Sequence, residues 1–344
     1  MKWRSVEEMA AAWGVSARQV RGYCAKGRVA GASFEGGAWR IPEGAEKPAR
    51  KSRRRGEPKD ILAILEAERK AKLPGGLYHR LQIDFTYNSN HMEGSRLTRE
   101  QTRWIFETRT LGDIGADVPV DDIVETANHF RAVDTVIATA RAALTERYVK
   151  RLHAILKGGT ADSRNDWFAV GDYKRLENVV GERETAAPAR VGEEMARLLA
   201  WYAGTGHGFE DVAEFHVRFE TIHPFQDGNG RVGRLVMLKE CLKHGITPIL
   251  VTEETRRFYY KGLQEWQGRE RSRARLLDTF RAGQDVFAAL LRKYGHAAAA
   301  DAADARDGRD GWGIGGTANF PQVWGKGGRG RATKTGNQDG GNAR

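Results

Sequence analysis

Twelve consecutive residues carry the side chains best suited to phosphate chemistry: His223-Pro224-Phe225-Gln226-Asp227-Gly228-Asn229-Gly230-Arg231-Val232-Gly233-Arg234. A Gly228-Asn229-Gly230 turn lets the backbone approach a ligand closely, and a helix starting there offers an anion its free N–H groups and positive dipole end. Arg231 and Arg234, three apart, share roughly one face of the first helical turn and add two guanidiniums. Asp227, just before the turn, is an oxygen ligand for a divalent ion, and Mg²⁺ with phosphate is the common case. His223 is the natural proton acceptor near neutral pH. A phosphate cradle, a metal ligand and a base this close together are what phosphoryl or nucleotidyl transfer needs. Three neighbours read as packing instead: Phe225 anchors the loop, His216 is a packed histidine, and Gly233 permits close helix contact.

The elements that position this set are helical. Val212, Phe215, Phe219 and Ile222 recur at spacings of three and four, so a helix buried on one side leads into His223. A second helix follows the turn through about Lys243, and Gly245 stops it. Apolar stripes at Ile61, Leu62 and Leu65, at Val124, Ala127, Phe130 and Val133, and at Leu152, Ile155 and Leu156 extend the helical pattern from Asp60 to about Tyr294. One interruption falls around Trp167–Gly181. Upstream, Ser89 and Glu93 lie four apart, which stacks them on one helix face, and Gly94 ends that helix.

Residues 1–45 read as a separate module. Ser5 to Glu8 and Ser16 to Gln19 are capping boxes opening two short helices, and Val29–Phe34 with Ala38–Ile41 look like a hairpin turned at Glu35-Gly36-Gly37. The pattern resembles the winged helix-turn-helix of MerR- and excisionase-type DNA-binding domains. Arg18 and Arg21 on the second helix, with Lys26 and Arg28 after it, would then face DNA. Residues 1–59 hold 14 Lys and Arg against 6 Glu, a net +8 out of +11 for the chain, so the basic excess sits at this end. Residues 46–59 read as a basic linker, 60–295 as the main domain, and 296–344, with 12 glycines, as a disordered tail.

With 344 residues the chain can build one good-sized core and a small accessory domain. The longest apolar runs, such as Leu235-Val236-Met237-Leu238, fall far short of a membrane span, and Met1 to Glu8 has no signal-peptide core. Cys24 and Cys241 are the two cysteines, which excludes a disulfide framework and fits a reducing, cytoplasmic setting.

The segment 223–234 resembles the signature of Fic proteins, His-x-Phe-x-Asp/Glu-Gly-Asn-Gly-Arg-x-x-Arg, at every position. The resemblance, covering roughly residues 60–290, implies a mainly α fold: a Fic-type all-helical core with a small β-hairpin flap. It also implies transfer of AMP from ATP onto a Ser, Thr or Tyr hydroxyl. Carried over, His223 deprotonates the target hydroxyl and Asp227 binds Mg²⁺ across the α- and β-phosphates. Gly228, Asn229 and Gly230 form the anion hole, Arg231 and Arg234 hold the β- and γ-phosphates, and pyrophosphate leaves in line. The stretch 167–181, with Gly171, Tyr173 and Lys174, is similar to the family's flap, which pairs with the target backbone. Tyr259 and Tyr260 fall in a segment similar to one near the adenosine, where core packing is the equal alternative.

Asn88 to Ser95 resembles the family's Ser/Thr-x-x-x-Glu-Gly/Asn inhibitory motif, with Ser95 where Asn often stands. The implied inhibitory helix, near residues 86–94, brings Glu93 to Arg234 and takes away the γ-phosphate's partner. Some relatives use this glutamate to orient water for AMP removal. The expected partners are a hydroxyl-bearing protein (the chain itself included), DNA through residues 1–45 and a second copy of the chain, with no membrane. Two other readings stand beside this one: a γ-phosphotransferase like the toxin-type relatives, which depart from the Gly-Asn-Gly retained here, and a DNA-binding regulator with a nucleotide-sensing core.

Overall fold

The computed structural model describes residues 2–25, 27–35, 38–48, 60–112, 117–180, 183–269 and 271–307. At the N-terminus a short strand β1 (Trp3–Arg4) leads to Ser5, which opens α1 (Val6–Trp13). The Ser5 hydroxyl accepts from the Glu8 N–H at 3.2 Å while the Glu8 carboxylate accepts from the Ser5 N–H at 2.7 Å, so two orphan donors are satisfied reciprocally. Ser16 and Gln19 repeat the exchange ahead of α2 (Ala17–Ala25). Strand β3 (Ala38–Pro42) pairs antiparallel with both β1 and β2 (Ser33–Glu35), giving a sheet of order β1-β3-β2. Met9, Val20, Cys24 and Ile41 close a small core of their own. The strand read over Val29–Phe34 begins only at Ser33, because Val29 turns inward to that core. Gly36, Gly37, Lys26 and most of the basic linker lie outside the described residues.

The rest is helical: α3 (Ile61–Ala71), α4 (Leu77–Met92), α5 (Arg99–Thr108), α6 (Val120–Thr139), α7 (Glu146–Lys157), then a hairpin of β4 (Val179–Val180) and β5 (Arg183–Glu184), α8 (Pro188–Ala203), α9 (Phe209–Ile222), α10 (Asn229–His244), α11 (Arg256–Gln267) and α12 (Ala274–Lys293). At the centre is α10, in which every residue from Arg231 to Leu242 is buried. A helix hydrophobic on one stripe alone would sit at the surface, and burial all round requires neighbours on every side. Here α4, α6, α7 and α9 supply them.

Two expectations are corrected. The disordered tail does not begin at residue 296: Ala297–Arg306 form a further helix, α13, packed on α12 through Ala299, Ala300 and Ala303. Alanine is the strongest helix former and buries little area per residue, so an apolar stripe of large side chains is the wrong signal to seek there. Residues 308–344 lie outside the described residues. The hairpin expected within 167–181 also lies further along the chain. Its strands are 179–180 and 183–184, with Val179 opposite Glu184, while Gly171, Tyr173 and Lys174 precede them in irregular backbone. Gly171 turns at φ 74, and its amide and that of Lys174 are taken by His153 and Pro224, leaving no ladder for a strand there. Gly181 lies outside the described residues. No described helix is long and apolar enough to cross a membrane.

Candidate active site

Helix α9 ends at His223, whose φ of 52° is left-handed, and its N–H still bonds the Phe219 carbonyl at 2.9 Å. Such a backbone is uncommon for a residue with a side chain, histidine being among those that adopt it. The imidazole Nδ1 stands 3.9 Å from the Glu220 carboxylate. Beyond it, Phe225 is fully buried and stacks face to face on His153, ring centres 4.0 Å apart. Asn229 then fastens the loop: its Oδ1 accepts from the Phe225 N–H and its Nδ2 donates to the Phe225 carbonyl, both at 2.8 Å. Gly228 at φ 81 turns the chain into α10, with the Leu156 side chain 3.3 Å from where a Cβ would stand. The first amides of α10 have no intrahelical acceptor, and this is the anion-binding end of a helix.

Two ion-pair groups flank that end. Arg231, 4% exposed, donates to Glu125 of α6 and, at 3.1 Å, to Asp227. Lys157 of α7 donates to the same Glu125 and to Asp227 at 2.6 Å. Burial alone would raise the Asp227 carboxyl, but Arg231 and Lys157 bring it down to about 2. Asp227 is thus ionised, and its side chain is half exposed, so it fits the hard oxygen chemistry that Mg²⁺ takes. On the other flank, Arg234 is 2% exposed and reaches α4: Nε donates to the Ser89 hydroxyl at 3.0 Å, and Nη2 to the Ser89 carbonyl at 2.8 Å and the Glu93 carboxylate at 2.7 Å. Burial opposes the charge on Arg234, and the facing Glu93 outweighs it and holds the guanidinium protonated. The Glu93 carboxylate also fills the space over the bare Cα of Gly230.

Behind the loop, His153 holds two segments together. Its Nδ1 accepts from the Gly171 N–H at 2.9 Å, so Nε2 carries the proton and donates to the Asp227 carbonyl at 3.2 Å. Burial pushes its pKa down to about 4. The chain before and through the hairpin is strapped along the loop: Lys174 N–H to Pro224 carbonyl, Asn178 Nδ2 to Phe225 carbonyl and Ala186 N–H to Ile222 carbonyl, at 2.9, 3.0 and 3.3 Å. Lys174 is itself buried, its ammonium on Asn178 and Thr185, and Tyr173 is half-buried beside Phe225 with the Lys150 ammonium 4.0 Å over its ring. Leu176, Val179 and Val180 are exposed.

The fold therefore brings His223, Asp227, the glycine turn, Arg231, Arg234, Ser89 and Glu93 together. Of the two tyrosines, Tyr259 takes the core-packing alternative. It is 1% exposed, and its hydroxyl lies 2.8 Å from His216 Nε2 in the core, whereas its neighbour on the helix, Tyr260, is 41% exposed and donates to the Met92 carbonyl at 3.0 Å. His216 and Gly233 are packing residues, as read: a Cβ on Gly233 would stand 2.8 Å from Glu220 and 3.0 Å from His216. Glu125, Lys157 and His153 escaped the sequence reading. Their only signal was a polar residue set among the apolar stripes of α6 and α7, which a solvated face also produces.

Against known proteins, residues 143–241 match the sequence model of the Fic/DOC family. The protein adenylyltransferase Fic of Drosophila yakuba is 27% identical over 188 residues, covering 52% of this chain and 36% of that protein. The chain therefore spans about a third of the length of the curated relatives it matches. A Fic domain-containing signaling protein from Bacteroides thetaiotaomicron superposes with a TM-score of 0.51 at 23% identity, covering 72% of this chain and 97% of that one. A Fic family protein from Desulfovibrio desulfuricans gives 0.53 at 22%, with 72% and 77% covered. The chain is thus a mainly helical protein with the Fic fold. More narrowly, its residues 143–241 are similar to the Fic/DOC family domain.

Proposed function

We propose that the chain is a protein adenylyltransferase that moves AMP from ATP to a side-chain hydroxyl of a protein and is restrained by its own Glu93. The observation that carries the reading is the intact Gly228-Asn229-Gly230 turn at the start of a buried helix, flanked by Arg231 and Arg234. In the proposed step the target hydroxyl oxygen attacks the α-phosphorus of ATP. Its proton passes to the imidazole of His223, the bond from the α-phosphorus to the bridging oxygen breaks, and pyrophosphate leaves. The α10 amides receive the developing negative charge without reorganisation. Asp227 would hold Mg²⁺, which when bound neutralises phosphate charge. The relatives named as adenylyltransferases support AMP over γ-phosphate as the group moved. Labelled ATP with wild type and His223→Ala tests this: an adduct with the mass of AMP is expected, and its loss by about 10²-fold or more in the variant. A phosphate-mass adduct would replace the reading with phosphotransfer.

The restraint rests on the Glu93 carboxylate holding Arg234 and lying over Gly230, where an anion would otherwise sit. Glu93→Gly is expected to raise label incorporation at least about tenfold, a barrier change of about 1.4 kcal/mol. Activity no higher than wild type would remove Glu93 from this role. For residues 1–45, the net +8 of residues 1–59 and the exposed Arg18 and Arg21 on α2 support DNA docking, although Arg21 is shared with Glu7 at 2.8 Å. Binding of the full chain to duplex DNA that weakens steeply with salt, and falls in Arg18→Ala, is the expected result.

A further inference from the structure

A second group of ligand-type side chains lies at the other end of α10. His207, Glu240 and His244 each offer one ligand atom, and these atoms all lie within 4.8 Å of one another, the sole such group among the described residues. Glu240 and His244 are four apart and share a helix face, while His207 comes from the turn joining α8 to α9. Eleven residues of helix separate Glu240 from Asn229, about 16 Å at 1.5 Å each, so the group is distinct from the glycine turn.

The surroundings are arranged around these atoms. Glu240 is 1% exposed; one carboxylate oxygen takes Lys239, and the other lies 3.1 Å from the Tyr202 hydroxyl and 3.2 Å from His244 Nε2. His207 stands at φ 56°, a left-handed backbone that is strained for a residue with a side chain and persists only where its surroundings hold it. Thr205 Oγ1 lies 3.4 Å from His207 Nδ1, leaving Nε2 for a ligand, and the two imidazoles stack with centres 4.5 Å apart. Outer groups of this kind orient the inner ligands of metal sites. Both histidines are half-buried, which leaves an entry path and room for a solvent ligand.

We propose that His207, Glu240 and His244 bind a divalent transition-metal ion of the Zn²⁺ class, with water as a further ligand, tying the turn before α9 to the C-terminal end of α10. Two imidazoles and a carboxylate are a set that Zn²⁺ takes, whereas Mg²⁺ and Ca²⁺ prefer oxygen alone. Lys239 keeps the far carboxylate oxygen, so Glu240 ligates through one oxygen and the nearby ammonium moderates the affinity.

The test uses the full chain, stripped with chelator and titrated with Co²⁺ and then Zn²⁺. One equivalent of Co²⁺ should give a visible absorption band, which Zn²⁺ displaces and excess Mg²⁺ does not, and Zn²⁺ should raise the melting temperature. His207→Asn combined with His244→Gln should abolish the band and the thermal shift while the metal-free melting temperature stays near that of wild type. Asn tolerates the left-handed backbone at position 207. Tyr202→Phe should weaken Zn²⁺ binding about tenfold without removing it. Should the double variant not fold, His207→Asn alone carries the comparison. A band and shift undiminished in the histidine variants, or no stoichiometric binding by wild type, overturns the proposal.

Discussion

His153, His216 and His129 are buried residues whose protonation the fold resists. Burial lowers His153 to about 4 and, with Arg234 close by, His216 to about 3. His129, fully buried and facing Arg231 and Arg234, is lowered well below the usual histidine range. Each binds its proton more readily in the unfolded chain, so stability is complete above pH ~6.5 and falls as pH drops toward the folded values. With all three titrating only on unfolding, the slope approaches about 4 kcal/mol per pH unit near pH 5. Urea denaturation at pH 7, 6 and 5 checks this. Asp227 does not confound the window, because a depressed carboxylate loses its contribution only below pH ~3.9. A pH-independent midpoint between 7 and 5 would show that these rings take up protons in the folded state.

At the scale of elements, the C-terminal end of α4 is held by α11. The Met92 carbonyl, one of the last that the helix leaves unpaired, accepts from Tyr260 at 3.0 Å and from Arg256 at 3.1 Å. Glu93 is the next residue, so this contact sets where its carboxylate points. Tyr260→Phe should loosen the Glu93 and Arg234 pair and raise basal label incorporation a few-fold, about 1 kcal/mol and less than Glu93→Gly achieves. Unchanged incorporation in Tyr260→Phe alongside a large rise in Glu93→Gly would place the restraint in the carboxylate alone. The α9 and α10 contact is tight at Gly233. Alanine there gains about 1 kcal/mol of helix propensity, but its methyl meets His216, which is fixed by Tyr259 and Phe280 and cannot retreat. Overpacking of about 1–3 kcal/mol wins, and a lower melting temperature for Gly233→Ala is the expected readout.

For the molecule as a whole, Glu125, Lys157, Asp227 and Arg231 join α6, α7, the loop and α10 in a network with two charges of each sign. Glu125→Gln leaves Lys157 and Arg231, both buried, sharing one carboxylate. Breaking a buried pair in this way costs about 3–5 kcal/mol, and denaturant midpoints measure it. A loss that vanishes in high salt would mark the network as an exposed one, because screening reaches buried pairs far less.

The sequence alone determined the loop. A turn, a helix start and two arginines three apart are local, so residue order carries their geometry, and the four-residue spacing of Ser89 and Glu93 likewise put both on one face. The reciprocal caps at Ser5 and Ser16 were legible for the same reason. Only the tertiary structure decided that Glu125 meets Arg231, whereas the pairing of Glu93 with Arg234 was implied by the family resemblance. Arg231 and Glu125 are 106 residues apart, and Arg234 and Glu93 are 141, so no spacing rule joins them. It also decided which of two adjacent tyrosines faces inward, where the hairpin begins, and that the alanine-rich stretch after His296 folds back onto α12. Each of these turns on how helices pack against one another, and packing depends on surfaces that come together only once the chain has folded.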